Sequence, residues 1–145
     1  MKVDVETAAT ISRPVGDVAD YAAEPSNAPT WYANIDSANW QTEPPLRVGS
    51  SFEFVAKFLG RTLRYTYEVI EFEPHSRLVM RTSQGPFPMQ TTYSWEALTA
   101  DSTRMTLRNT GAPAGFAKIV TPLMAPAMRR ANRKDLAALK AILET

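Results

Sequence analysis

The sequence predicts an α+β fold in which a seven-stranded, curved antiparallel sheet wraps around a long C-terminal helix. Three observations favour it. Apolar and polar residues alternate near the start, short alternating segments separated by turns fill residues 35 to 109, and about thirty residues with helical periodicity end the chain. An antiparallel sheet buries one face, and a long amphipathic helix can cover that face. At 145 residues the chain is expected to form a single domain, 1-145.

Composition narrows the class of protein. The net charge is +1 and charged residues make up 21%, which predicts no nucleic-acid binding. No apolar run approaches the roughly 20 residues of a membrane span, so no stable membrane insertion is expected. The first ten residues, MKVDVETAAT, carry acidic residues where a signal peptide would be apolar, which predicts a cytoplasmic protein. The chain has no cysteine, which excludes disulfides, thiolate catalysis and cysteine-based zinc sites.

The first elements are a strand and two short helices. Alternate residues of the first strand share its buried face: Val3, Val5, Thr7, Ala9 and Ile11. A helix follows, with Ser12 as its predicted cap and Pro14 in its first turn. Its apolar stripe comprises Val15, Val18, Ala19 and Ala22. Pro25 ends this helix, and SNAPTWY is a second short helix or turn.

Six further strands complete the sheet. They are predicted over NIDSANWQ, SSFEFVAKFL, TLRYTYEVIEF, LVMRT, MQTTYSWEAL and TRMTLRN. Gly60-Arg61 and the segment from Pro74 to Arg77 are predicted turns between strands.

The last segment is helical, and Pro122 and Pro126 should kink or restart it. After Pro126 an apolar face is predicted over Met128, Ala131, Leu136, Leu139, Ile142 and Leu143. The opposite face is cationic and carries Arg129, Arg130, Arg133, Lys134 and Lys140. Because these charges recur at helical spacing, they indicate a solvated helix face rather than a site for anionic partners.

Several motifs, taken in order, carry a family resemblance over the whole chain. They are ISRPVGDVADYAAEPSNAPTWYANI, LRVGSSFEF, YEVIEFEPHSRLVMR, YSWEALTADSTRMTL and the long last helix. The chain resembles the SRPBCC superfamily of START-like and birch-pollen-allergen-like helix-grip proteins, in particular its polyketide cyclase/dehydratase-like branch. It departs in having TADSTR where many relatives have a glycine-rich turn, and in the two prolines of the last helix. The resemblance implies a deep apolar cavity between sheet and helix that takes lipid-like or polyketide-like molecules.

His75, the single histidine, is the first candidate for acid-base chemistry or metal binding. It lies in EPHSR, beside turn-forming residues and between two strands, so we predict a solvent-facing turn residue. A serine triad needs a histidine, and the single histidine is predicted to lie in a turn. The sequence also contains no phosphate-binding or metal-binding motif. Glu68, Glu71 and Glu73 are expected on the solvated sheet face. No metal and no cofactor is therefore expected.

A ligand cavity is predicted from the inward-facing aromatic, methionine and hydroxyl side chains, although the same residues are equally typical of a filled core. The predicted cavity residues are Trp31, Phe54, Phe58, Tyr65, Tyr67, Met80, Met89, Thr91, Tyr93, Met105, Met124, Met128 and Asp135. Asp135 is unusual because it falls within the apolar helix stripe, with Asn132 one turn earlier. Either it forms a salt bridge to Arg64, Arg81 or Arg108, or it serves as a ligand anchor or general acid.

Three functions follow from these features. The first is binding of a small, largely hydrophobic ligand in an internal cavity, by a monomer or homodimer. The second is a polyketide cyclase/dehydratase-type enzyme that uses Tyr65, Tyr67, Tyr93 and Asp135, since such a reaction needs only positioning and a proton donor. The third is a protein-interaction module of the chaperone-activator type, which a large exposed apolar patch would indicate.

Overall fold

The computed structural model of the protein describes residues 3–58, 60–84, 88–111 and 117–145, and for residues 58 and 117–124 it describes the backbone alone. The elements in chain order are β1 (Val3–Ile11), α1 (Val15–Ala23), a 3-10 turn (Pro25–Asn27), α2 (Ala28–Trp31), β2 (Ile35–Trp40), β3 (Ser51–Phe58), β4 (Arg61–Glu73), β5 (Arg77–Gln84), β6 (Met89–Thr99), β7 (Ser102–Gly111) and α3 (Ala117–Leu143). This architecture confirms the predicted α+β helix-grip fold.

All seven strands form one antiparallel sheet in the order β1-β7-β6-β5-β4-β3-β2. Strands β2 to β7 follow one another as neighbours, and β1 joins the sheet beside β7, where Val5 lies opposite Asn109. The partners on the first and last strands are thus 92 (Ile11 and Thr103) to 108 (Val3 and Gly111) residues apart along the chain. The sheet presents alternate side chains to one concave face, and that face holds the core.

A β-bulge in β4 explains why its charged residues do not follow a simple alternation. The register against β5 shifts between Val69 and Glu71, and a bulge moves the following residues to the other face. As a result Val69 is fully buried and Phe72 packs against the core, while Glu71 and Glu73 are exposed as predicted. Glu71 forms an ion pair with Arg77 at 3.3 Å on the outer surface.

The predicted cap of α1 is wrong. Ser12 does not cap α1: Pro14 occupies the N-cap position, and no side chain caps the helix. The backbone N–H of Ser12 instead donates to Glu144 Oε2 at 2.8 Å, which ties the end of β1 to the end of α3. Helix α3 runs continuously through Pro122 and Pro126, so of the two alternatives predicted for these prolines a restart of the helix is excluded, and a kink stays a prediction.

Helix α3 lies along β1 and also contacts α1 and α2. Its C-terminal half buries Leu136 and Leu139 in the core, with 1% and 0% of their surfaces exposed. Ile142 was expected on the same face but is 36% exposed, whereas the next residue, Leu143, packs against the core in this last turn. None of the helical residues that the structure describes forms a segment long and apolar enough to cross a membrane.

A pair of truncations in α3 tests this packing. Leu139→Ala should lower the free energy of unfolding by about 2–5 kcal/mol, since it removes a fully buried side chain and leaves a cavity. Ile142→Ala, one turn later and partly exposed, should cost about 1 kcal/mol or less. Urea denaturation followed by circular dichroism measures both. Equal losses at the two positions would contradict the placement of the helix.

Candidate functional site

A cavity of about 380 Å³ lies between α3 and the concave face of the sheet. This volume falls within the usual range for small-molecule sites, about 300–1,000 Å³. Its walls come from β2 to β7, from the segment that joins α2 to β2, and from α3. The described lining residues are Tyr32, Asn34, Ile35, Phe54, Ala56, Lys57, Leu63, Tyr65, Tyr67, Met80, Met89, Thr91, Tyr93, Asn109, Ala127, Met128, Ala131, Asn132 and Asp135.

Most of the residues predicted for the cavity do line it. They are Phe54, Tyr65, Tyr67, Met80, Met89, Thr91, Tyr93, Met128 and Asp135. Two others, Phe58 and Met124, have side chains outside the described residues. The structure thus places the greater part of the predicted set around one space, and it adds residues from the α2–β2 segment that sequence periodicity did not single out.

Trp31 and Met105 were predicted to line the cavity but belong to the solid core instead. Trp31 is 2% exposed and packs against Tyr32 with ring centroids 4.1 Å apart. Met105 is fully buried in β7 opposite Trp95. The reason is that α1 packs on β6 and β7 at that end of the sheet and leaves no space there. Strand periodicity predicts which face of the sheet is buried, but it does not predict which part of that face α1 covers.

Methionines form much of the apolar wall. Met80 from β5, Met89 from β6 and Met128 from α3 all border the cavity. Met89 occupies the space beside Gly111, its partner on β7, where a Cβ atom would collide with the Met89 sulfur. Because residue 111 is glycine and has no side chain, the Met89 side chain can lie beside it at the cavity wall. Methionine side chains adapt their shape, which suits a wall that meets ligands of varied outline.

Two tyrosine hydroxyls meet at the α2 side of the cavity. Tyr32 Oη and Tyr93 Oη are hydrogen-bonded at 2.6 Å. Burial raises the pKa of Tyr32 well above its usual range, and burial likewise raises the pKa of Tyr93. Both phenols therefore stay protonated at neutral pH. Sequence periodicity carries no signal for Tyr32, because this residue follows the four-residue helix α2 directly.

A second polar group lies on the sheet. The Thr91 hydroxyl donates to Asn109 Oδ1 at 2.6 Å, from adjacent positions on β6 and β7. Burial raises the pKa of nearby Tyr67 to about 12, and the Thr91 hydroxyl offsets part of that rise. Tyr67 thus also remains a neutral phenol. Thr91 and Tyr93 are two residues apart on β6, so the two polar groups lie side by side on the cavity wall.

Asp135 does not form the salt bridge that was one of the two expectations for it. Arg64 pairs with Glu53 at 3.3 Å and Arg108 with Asp4 at 2.7 Å, both on the outer surface, and Arg81 is also exposed. These arginines belong to the outer face of the sheet, whereas Asp135 faces the inner side. Its Oδ1 instead accepts a hydrogen bond from Ala33 N–H at 3.1 Å.

The Asp135 carboxyl is 4% exposed and borders the cavity. Burial raises its pKa above the ordinary 3.8, while the Ala33 hydrogen bond and the charge of Lys134 partly oppose this. A carboxylate has about four acceptor sites. Since one backbone N–H occupies one of them, Asp135 retains acceptor capacity next to the cavity.

Asn132 lies one turn before Asp135 on the same face of α3. It is 5% exposed, and its Nδ2 is buried without a hydrogen-bond partner in the part of the chain that the structure describes. A buried amide without a partner costs stability, typically about 1–3 kcal/mol. The helix therefore contributes two incompletely satisfied polar side chains to the cavity region.

His75 lies in the turn between β4 and β5, exposed as predicted, and does not line the cavity. Its backbone adopts φ +63°, a left-handed conformation. Its Nε2 is 2.9 Å from Asp20 Oδ1, and its ring packs beside Gly16 of α1. The residue thus joins the turn to α1. Within the described ranges, no group of three or more histidine and carboxylate side chains is arranged to hold a metal ion.

Comparisons with known proteins agree with this geometry. A model of the family described as polyketide cyclase / dehydrase and lipid transport matches residues 2–144. Among curated proteins, none matches this sequence closely enough to count as a relative.

Solved structures similar to this fold cover nearly the whole chain. TTHA0849 from Thermus thermophilus has a TM-score of 0.83 at 17% identity, over 97% of this chain and 96% of its own. The Zhui aromatase/cyclase from Streptomyces sp. R1128 has a TM-score of 0.81 at 16% identity, over 99% and 94%. A START superfamily protein from Mycobacterium smegmatis has a TM-score of 0.81 at 13% identity, over 97% of each chain. At these identities the likeness establishes the fold.

The burial of Asp135 predicts that the stability difference between the wild type and the variant Asp135→Asn depends on pH. Because its pKa is raised in the folded state above the ordinary 3.8, folded protein binds the proton more tightly than unfolded protein. The wild type therefore loses stability as the pH rises through the interval between these two pKa values. Asp135→Asn keeps an acceptor for Ala33 N–H and lacks the titration, so it should gain stability relative to the wild type over that interval.

Urea denaturation of both proteins between pH 4 and pH 7 measures this difference, and other titrating groups cancel in the comparison. The relative stability of Asp135→Asn should rise with pH and then level off. A difference that stays constant, or that shrinks as the pH rises, would show that the carboxyl is not desolvated as the structure indicates.

Proposed function

The chain belongs to the polyketide cyclase / dehydrase and lipid transport family, and we propose that it binds a small, largely hydrophobic molecule in the cavity between the sheet and α3. The observation that carries this proposal is the cavity itself. It has a volume of about 380 Å³ in a fold whose remaining inner face is solidly packed with buried side chains. Protein interiors are normally filled to close packing, so a space of this size calls for an occupant.

The chemistry of the walls defines the class of occupant. Methionine, aromatic and aliphatic side chains supply most of the surface, which favours an apolar body through the hydrophobic effect. The Tyr32–Tyr93 and Thr91–Asn109 pairs and Asp135 supply a small number of fixed polar groups. Such groups orient a ligand within an apolar pocket.

Binding of the neutral dye N-phenyl-1-naphthylamine, whose fluorescence rises in apolar surroundings, tests the proposal when the wild type is compared with a variant whose cavity is filled by a larger side chain. The wild type should bind the dye, and Ala131→Trp should lower the affinity at least tenfold, because the indole would occupy space that Ala131 borders. Ala137→Trp is the matched control, since Ala137 is an exposed residue of the same helix outside the cavity lining.

Binding to wild type and control, together with its loss in Ala131→Trp, would support the cavity as the site. Equal dye binding by all three proteins would place the dye elsewhere, and absence of binding by the folded wild type would contradict the proposal. Thermal unfolding of each variant checks that the fold is intact.

A cyclase/dehydratase-type enzyme is the second candidate, and the polar group around Tyr93 favours it. Tyr32 and Tyr93 are hydrogen-bonded to each other, and the negative charge of Asp135 acts on both phenols. Neutral phenols beside a carboxylate can hold a substrate carbonyl and exchange a proton with it. This arrangement is compatible with dehydration or cyclisation of an oxygenated substrate.

Mass spectrometry of cavity-bound compounds separates the two candidates. The variant Tyr93→Phe, which keeps Asp135, is used to capture a compound from cell extract, and that compound is then incubated with the wild type. Release of the compound with its mass and its chromatographic retention unchanged supports binding alone. Loss of one water, or an isomer of equal mass and different retention, supports the enzyme when it depends on the Tyr93 hydroxyl.

The protein-interaction hypothesis has little support in the described residues. The large apolar side chains exposed there are Val48, Leu98 and Ile142, in the β2–β3 connection, in β6 and in α3 respectively. Single exposed apolar residues are normal on protein surfaces. Three such residues in three separate elements give no indication of the contiguous patch that this function requires.

A further inference from the structure

The two charged residues described in the cavity lining lie in different surroundings. Among the described residues that line it, two carry a formal charge, Lys57 and Asp135. The Lys57 side chain is 69% exposed and pairs with Asp36 at 3.6 Å, so its charge faces solvent at the mouth. Asp135 is almost completely buried, and no described cation lies within 4.0 Å of its carboxylate. The charge of exposed Lys134 acts on Asp135 through space, but no described cation forms an ion pair with it, so the described interior of the cavity carries one carboxylate without a direct cationic partner.

Two phenol side chains of the cavity wall interact electrostatically with this carboxylate. Tyr32 and Tyr93 line the same space, and both interact electrostatically with Asp135. Tyr67 and Phe54 continue the aromatic wall, with ring centroids 5.5 Å apart. Aromatic faces attract cations, and the attraction grows when water is excluded. A carboxylate next to several rings in a mostly apolar pocket is the combination that recognises organic ammonium groups.

From these observations we propose that the cavity selects apolar molecules that carry a protonated amine, and that Asp135 is the anchor of the ammonium group. The proposal rests on the proposed binding function and assigns the head group of its ligand. Asp135 Oδ1 keeps its bond to Ala33 N–H, which fixes the carboxylate, and the remaining acceptor sites receive the ammonium N–H groups. The methionine-rich wall receives the apolar body.

The same geometry disfavours other head groups. A carboxylate would place a second negative charge beside Asp135 in surroundings of low polarity, where like charges repel strongly. A hydroxyl could donate one hydrogen bond to Asp135 but would bring no charge. The expected order of affinity at neutral pH is therefore amine, then alcohol, then carboxylate.

A matched series of 1-octylamine, 1-octanol and octanoate tests this order, with displacement of N-phenyl-1-naphthylamine from the wild type as the readout. We expect octylamine to bind about tenfold or more tightly than octanol, as a charge-assisted hydrogen bond would give. Octanoate should bind most weakly. This comparison uses the wild type alone and does not depend on any variant.

Asp135→Asn then identifies the anchor. The variant should lose about tenfold in octylamine affinity while its affinities for octanol and for the neutral dye stay within about threefold. Asp101→Asn, in the exposed turn between β6 and β7, makes the same change in net charge away from the cavity and should leave all affinities unchanged.

The outcomes separate this inference from the proposed function. If the dye binds but octanol or octanoate matches octylamine, or if Asp135→Asn keeps the preference for the amine, the ammonium assignment is wrong while ligand binding stands. If neither the dye nor any of the three compounds binds the folded wild type, the proposed function itself fails. A loss of octylamine affinity in Asp101→Asn equal to that in Asp135→Asn would attribute the preference to net charge and overturn the anchor.

Discussion

The docking of the C-terminal half of α3 is the constraint on which the rest of the structure depends. Leu136 and Leu139 fix the helix over the core. At its end Lys140 Nζ donates to Thr10 O at 2.7 Å, and Glu144 accepts from Ser12 N–H, so the helix is held to β1. With this half fixed, the direction of the preceding turns is set, and they border the concave face of the sheet through small or flexible side chains such as Ala131 and Met128.

One helical stripe therefore serves two purposes. Leu139 and Leu136 fill the core, and one turn toward the N-terminus the stripe continues with Asp135, Asn132 and Met128, which border the cavity. Asp135 lies at the boundary between the two, where Ala33 N–H can reach it. The raised pKa of Asp135 is the consequence of this position, since desolvation by the adjoining core is its largest cause.

Periodicity explains what could be predicted from the sequence. Period-two alternation identified five of the seven strands and the inward positions of β6, because alternate residues of these strands share one buried face, whereas β2 and β5 were predicted as short segments between turns. It could not separate Met105 from Met89, since both face inward and only the docking of α1 decides which is covered. Tyr32 follows a four-residue helix that has no usable period, and the Asp135–Ala33 contact joins positions 102 residues apart. Such contacts depend on tertiary packing and leave no local pattern.

The polar groups of the cavity differ in how well the fold satisfies them. On the sheet, Thr91 bonds to Asn109, and Tyr93 bonds to Tyr32 from the α2 side, so these side chains already have partners and fixed positions. On the helix, Asn132 Nδ2 has no partner in the described region, and Asp135 has a single backbone donor. A ligand gains the most binding free energy from hydrogen bonds to buried groups that lack a partner in the protein, because folding has already removed those groups from water. Under the proposed function, the sheet would therefore supply the shape of the site and α3 its recognition, and a change of ligand class would require changes at positions 132 and 135 before any on the strands.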